Sequence, residues 1–242
     1  IMTKDQKDNL FLLIKSLTKS EKRQFKLYVG RLGVNTDSKF LNLFTILDKL
    51  KVYDEVQILK FGVVKKSQLA NIKAHLYRQI LVSLKLNPSH QNIRSQIREQ
   101  LDFASILYHK GLYKQSLKLL DKSKEIAIQN EEKNLAFEIV ELEKIIESQY
   151  ITRSIRGRAD ELTVQATELS AANVIASKLS NLSLQLYGIF LKTGYVRSAE
   201  ESNKVSTYFN DHLPDYRMEE MGFREKLWLF KAYLWYSFLL QD

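Results

Sequence analysis

Three features of the sequence predict an all-α protein. Apolar residues recur at steps of three and four along most of its 242 residues, the period of helices with one buried face. Only eight glycines and two prolines are available for turns, too few for many short strands. Hydrophobic residues make up 45% of the chain, enough to bury a core in one large or two modest domains.

Composition narrows the chemistry. No cysteine is present, which removes disulfides, thiolate metal sites and cysteine nucleophiles and is compatible with a reducing cytoplasm, the expected location. The opening IMTKDQKDN alternates charges and lacks the apolar run of a signal peptide. Ile1 precedes a methionine, so a native start at Met2 is expected. The net charge of +9 is unevenly spread: residues 1–100 hold 19 Lys and Arg against 8 Asp and Glu, and residues 101–242 hold 18 against 20. A basic N-terminal helical region, 1–90, is therefore distinguished from a near-neutral remainder, 91–242. The excess suits an acidic partner such as nucleic acid, although solvated lysines on helix faces are its commoner origin.

Leu10, Leu13, Ile14 and Leu17 mark the first helix, and Thr18 with Glu21 reads as a capping box for the second. Phe25, Tyr28, Val29 and Leu32 form the apolar face of that helix, whose end is loosened by Gly30 and Gly33. Val34 to Lys39 reads as a loop, followed by a helix through Phe40, Phe44, Leu47 and Leu50. Tyr53 to Phe61 is a shorter helical segment ended by Gly62. Leu69, Ile72, Leu76, Ile80 and Leu84 then define a strongly amphipathic helix, which Asn87-Pro88-Ser89 terminates at the expected domain boundary. Residues 54–86 have the outline of a helix-turn-helix, with Lys65, Lys66, Gln68, Asn71, Lys73, His75, Arg78 and Gln79 able to reach phosphates or base edges. Lys66 and Lys73 fall roughly 120° around the helix from Arg78 and Lys85, so there is no single basic stripe, and a core helix with a solvated polar face is expected.

The most informative stretch runs from Leu107 to Ala127. Leu101, Ala104, Ile106, Leu107 and Tyr108 precede Gly111, and Leu117, Leu120, Lys124 and Ile126 follow it. A glycine takes positive φ without a Cβ penalty, and so short a turn forces the flanking helices antiparallel. Tyr113, Ser116, Leu120 and Ser123 share one face of the second helix, small where a neighbouring backbone must come close. After Asn130-Glu-Glu-Lys, a long helix keeps Leu135, Ile139, Leu142 and Ile146 in register and carries Glu138, Glu141, Glu143 and Glu147 on what reads as its solvated side. Gly157 interrupts, and Ala159 to Leu169 resumes helical spacing with small residues.

These residues resemble a tetratricopeptide repeat (TPR), a helix-turn-helix unit of about 34 residues, over about residues 97–242. With Gly111 as the turn glycine, Tyr113 matches the family's turn tyrosine, Ser116 its helix-B alanine, Leu120 its aromatic and Ser123 its last small position. The first helix departs from the pattern: Gln100 stands at the tryptophan, Phe103-Ala104 at Leu-Gly, Leu107 at the tyrosine, and Ile128 at the closing proline. A second such hairpin is read at Gly194, where Ala199 takes the place of Ser116. The resemblance implies antiparallel helix pairs stacked as a right-handed solenoid. It also implies that Arg98, Ser105, His109, Asn181 and Lys192 face a concave groove of the kind that contacts peptides or partner proteins.

Pro214 and Asp215 read as the lead-in to a last helix, and from Leu227 to Leu240 only Lys231 and Ser237 interrupt apolar residues. The run is too short to cross a bilayer, and no membrane partner is expected. A helix apolar all round must be covered on several sides. Continuation of the chain beyond Asp242 is expected to supply that cover, since Trp235-Tyr236 and the closing Leu-Gln-Asp read as helix A of a further TPR-like unit. Self-association through this helix is the alternative.

The four histidines, His75, His90, His109 and His212, have no metal-ligand spacing, and no phosphate-binding glycine loop or nucleophile elbow occurs. No catalytic, metal or cofactor-binding residue is therefore predicted. The expected function is that of a non-enzymatic scaffold or protein-protein interaction module presenting its groove to a peptide or partner helix. The rival is a nucleic-acid-binding regulator acting through residues 1–90.

Overall fold

Short polar side chains ahead of apolar runs, Asp8, Thr18 and Asp54, set three of the helix starts in the first part of the chain. The computed structural model describes residues 8–31, 37–87, 91–149 and 156–241. Among them are eleven α-helices, one 3₁₀ turn and no strand. The chain divides into two compact units, Ile1–Asn92 and Ile93–Asp242.

In the first unit, the Asp8 carboxylate accepts from the Phe11 N–H at 2.9 Å and starts α1 (Asn9–Ser16). Thr18 Oγ1 accepts from the Glu21 N–H at 3.2 Å and Glu21 Oε2 from the Thr18 N–H at 2.6 Å, the reciprocal box expected at α2 (Lys19–Arg31). α3 (Asp37–Lys49) begins inside the stretch read as a loop, because the polar residues that suit a loop also suit a first helical turn. Leu32, Gly33, Val34, Asn35 and Thr36 lie outside the described residues, as do Ile1, Met2, Pro88, Ser89, His90 and Asp242. Asp54 caps the short α4 (Glu55–Lys60). α5 (Lys66–Lys85) contributes Leu69, Leu76 and Ile80 to one core with Ile14, Phe25, Phe44 and Leu47. Lys73, midway along α5, is tied to Asp8 and donates to the Tyr53 hydroxyl at 2.8 Å.

The second unit opens with α6 (Ile93–His109) and α7 (Tyr113–Gln129), joined at Gly111 with φ +73°. The Leu112 N–H reaches the Leu107 carbonyl at 2.9 Å and the Gly111 N–H reaches that of Tyr108 at 2.9 Å, the paired bonds of a Schellman cap. Buried Ser116 donates to the Ala104 carbonyl at 2.8 Å, so a small side chain lets the two backbones approach. Ile106 does not belong to this packed face. It lies about 140° around α6 from Leu101 and is half exposed.

The same cap closes α7 without a glycine. Glu131 takes φ +58°, its N–H bonds to Ile128, and the Glu132 N–H reaches the Ala127 carbonyl at 2.8 Å. α8 (Lys133–Gln149) consequently starts three residues beyond Asn130. Arg94 pairs with Glu132, and the Tyr108 hydroxyl donates to Gln149 at 2.7 Å. Contacts in that order along both helices make α6 and α8 parallel, with α7 antiparallel to each.

After Gly157, α9 (Arg158–Thr193) runs unbroken for 36 residues, about 54 Å. Its first half packs Leu162, Ala166 and Leu169 against Phe137 and Val140 of α8, and Asn173 donates to the Lys133 carbonyl at 3.4 Å. The second half extends past α8 and gathers α10 (Ala199–His212) and α11 (Phe223–Leu240). Leu182 and Leu186 share a core with Val205 and Phe209 of α10 and with Ala232 and Leu239 of α11. Tyr187 meets Trp235 at 4.9 Å between ring centroids and Phe190 meets Phe238 at 5.1 Å, so α9 and α11 run parallel. Phe209 packs on Tyr233, and the Tyr236 hydroxyl donates to Ser206 at 3.0 Å, so α10 is antiparallel to α11. The unit thus contains two triads of the same kind, α6–α7–α8 and the second half of α9 with α10 and α11.

Two details of the repeat reading change. The connection after α9 is longer than the turn at Gly111, so Ala199 becomes the exposed first residue of α10 and does not take the place of Ser116; Val205 and Phe209 fill the packed face instead. Pro214-Asp215 does not open a helix either. Leu213 and Tyr216 pack into the α9/α11 core, a 3₁₀ turn follows at Met218–Glu220, and α11 begins at Phe223. Among the described residues α9 alone is long and apolar enough to cross a membrane, with a mean hydropathy of 1.2 in its most apolar window. Only 28% of that window is buried, so packing against α8, α10 and α11 accounts for part of that apolarity.

Candidate interaction surfaces

The strongest electrostatic feature lies where α7, α8 and α9 meet. Lys124 donates to Glu143 Oε2 at 2.7 Å, and Arg158 donates to Glu143 Oε1 at 2.9 Å and to Asp121 at 2.7 Å. Glu161 pairs with the other arm of the guanidinium at 3.0 Å. Glu143 is fully buried, and burial pushes its carboxyl up to about 7 against the hydrogen bond and charge of Lys124. Burial also acts to raise Asp121, but hydrogen bonds with Glu143 and Arg158 and the charges of Arg158 and Lys124 outweigh it and hold the group below the ordinary aspartate value. The expectation that Glu143 belongs to a solvated face is therefore corrected: the register of α8 turns it inward beside Lys124 and Arg158. A carboxylate titrating near neutrality is often functional. Here both oxygens are occupied by cations, so neither remains to meet a substrate, and the cluster acts as a buried clasp between three helices.

The five residues expected to line a groove fall into two groups. Arg98, Ser105 and His109 share one face of α6, with Arg98 and His109 exposed and Ser105 half-buried. Asn181 and Lys192 share an exposed face in the second half of α9. Arg94 lies at the Lys133 end of α8, where Asn173 of α9 crosses. From that level α6 runs one way to His109 and α9 runs the other way to Lys192. At helical rise this separates His109 from Lys192 by about 50 Å along the helix axes, too far for one short peptide to touch both.

The sequence marks the apolar run of the last helix as needing cover, but it does not show that α9 shares the uncovered face. Along α11, Phe223, Leu227, Phe230, Leu234 and Phe238 step by three and four on the face opposite its buried Ala232. Phe230 and Leu234 are 59% and 65% exposed, and on α9 Leu184 and Leu191 are 64% and 63% exposed. Tyr187 against Trp235, and Phe238 against Trp235 and Tyr195, join the two helices into one apolar band. An exposed patch of this extent is characteristic of an interaction site.

In the first unit, three of the side chains read as able to reach nucleic acid are engaged within the fold. Lys73 is held by Asp8 and Tyr53, Gln79 accepts from the Tyr28 hydroxyl at 2.8 Å, and His75 stacks on Phe40. The outward face of α5 carries Ala70, Ala74, Tyr77 and Leu81 together with exposed Lys66, Asn71, Arg78 and Lys85. The basic residues that do gather lie on α2, where Lys19, Lys22, Arg23 and Lys26 line a shallow depression of about 360 Å³ with Leu27. Lys22 is paired with Asp48 at 2.7 Å.

Among the described residues no group of three or more His, Asp or Glu side chains is placed to hold a metal ion. Comparison of the chain with protein-family models, with curated proteins and with solved structures finds no match.

Proposed function

We propose that the chain is a non-enzymatic protein-protein interaction module whose C-terminal unit, a TPR-like helical array, presents helix faces to a peptide or partner helix. One observation carries this reading. In each triad the first and third helices are parallel with the second packed behind them, which leaves the outer faces of two neighbouring helices free to receive a ligand. On the first triad the contacting side chains are Arg98, Ser105 and His109. Selection of a peptide-display library on the full chain tests the proposal: peptides should be recovered, and a subset should bind at least tenfold more weakly to the Arg98→Glu/His109→Glu variant. Recovery of no peptide, or binding indifferent to both this variant and changes on the second triad, would overturn it.

A second reading, nucleic-acid binding, is favoured by the cationic stripe on α2. If it is correct, duplex or single-stranded DNA binds the full chain at 50 mM salt, weakens steeply by 200 mM, and is lost with Arg23→Glu/Lys26→Glu. Absence of binding at low salt removes it.

A further inference from the structure

The apolar band on α9 and α11 carries a second signal, in the sign of the charges around it. Between Ala171 and Thr193, and along α11, Glu225 is the sole carboxylate among the described residues. It is buried and paired with Lys133 at 2.9 Å. The cations of the same segments are Lys178, Lys192, Arg224, Lys226 and Lys231. Lys226 and Lys231 flank the Phe223–Phe238 stripe on its two sides, and Lys231 sits 4.7 Å from the Trp228 ring. The acidic residues of α10 belong to a helix packed against the opposite faces of α9 and α11, through Leu186 and Ala232.

From this arrangement we propose that the α9/α11 band receives an acidic amphipathic helix, with leucine-type side chains seated along Leu184, Leu191, Phe230 and Leu234 and carboxylates set against Lys192, Lys226 and Lys231. Charge selects this occupant. A second copy of the same face would bring cations against cations around an apolar seam, which like-charge repulsion disfavours, whereas glutamates flanking an apolar stripe complete both the burial and the pairing. The inference rests on the interaction-module reading and assigns a partner chemistry to one of its surfaces.

The test uses the full chain and a synthetic 18-residue helical peptide with leucines at heptad spacing and glutamates on both flanks. Its control keeps the leucines and replaces glutamate by lysine. Binding is read from tryptophan emission, since Trp235 lies in the band, and by sedimentation. The glutamate peptide is expected to bind at least tenfold more tightly than the lysine peptide. Leu234→Asp should abolish binding, and Lys226→Glu/Lys231→Glu should invert the preference, with unchanged circular dichroism showing that both variants fold. Equal affinity for the two peptides, or no binding of either, overturns the proposal. So does a dimer that Leu234→Asp dissociates, or uptake of the protein by phosphatidylglycerol vesicles without peptide binding. Any of these failures alongside retained binding of peptides dependent on Arg98 and His109 would leave the broader module reading standing; loss of both would remove it.

Discussion

The two triads of the C-terminal unit share a helix order and are finished by opposite means. In α6–α7–α8 the outer helices are tied by Arg94–Glu132 and Tyr108–Gln149, and the junction with α9 is filled by the Lys124–Glu143–Arg158 clasp. In the second triad the joints are rings: Tyr187 and Phe190 on Trp235, Phe209 on Tyr233 and Tyr236. Both bury a carboxylate, Glu143 in the first and Glu225 in the second, but the second leaves the more exposed large apolar side chains, among them Leu184, Leu191 and Leu234, on neighbouring helices. Helix order alone therefore does not determine which surface is left unfinished after packing.

The largest effect should come from breaking the clasp. Glu143→Ala leaves buried Lys124 without its main partner, and an uncompensated buried charge costs about 3–5 kcal/mol; chemical denaturation would read this as a large drop in midpoint. The clasp also predicts a pH dependence. Glu143 is held up to about 7 in the folded protein against an ordinary value of 4.5. The folded state therefore retains a proton that the unfolded chain releases between these values. Its contribution to stability is complete below pH 4.5 and is lost as pH rises through 7, a change of about 3 kcal/mol. Asp121 acts in the other direction, but only below its ordinary value of 3.8, outside that window. Glu143→Gln should flatten the slope between pH 5 and 8, and an unchanged slope would show that another group carries it.

Burial divides the second triad more simply. Leu184 and Leu186 are two residues apart on α9, one 64% exposed and the other fully buried between α10 and α11. Leu186→Ala should cost about 3 kcal/mol, and Leu184→Ala less than about 0.5 kcal/mol. If thermal melts of the isolated chain showed equal losses, Leu184 would be covered in solution and the band would not be free.

Much of this fold was legible because it is local. The Thr18/Glu21 box, the Gly111 cap and the apolar register of α5 each depend on residues within one or two turns. The clasp was not legible: periodicity places Glu143 on a face, but only the approach of α7 and α9 decides whether that face meets water. The unbroken run through α9 escaped for a related reason, since a change of packing partners near Asn173 leaves no mark on the helix that spans it. Arg98, Ser105 and His109 share the helical face implied by their spacing, whereas Asn181 and Lys192 are carried away by the length of α9, which a repeat of about 34 residues does not anticipate.

The two caps of the first triad allow the finest comparison, because the same Schellman geometry is made once with glycine and once without. Gly111 and Glu131 occupy equivalent positions at φ +73° and +58°. A side chain in the left-handed region costs about 1 kcal/mol relative to glycine, and nothing lies within 4 Å of a Cβ built on Gly111. Gly111→Ala should thus lose about 1 kcal/mol through backbone strain alone. Glu131→Gly should gain somewhat less, because its 3.9 Å contact with Lys133 is weak and partly exposed, while the added freedom of the unfolded chain offsets part of the relief. Opposite shifts in denaturation midpoint are expected. A loss at both positions would mean that Glu131 is held by its contacts with Lys133 and the Gly222 segment, making the second cap a tertiary joint and the first a purely local one.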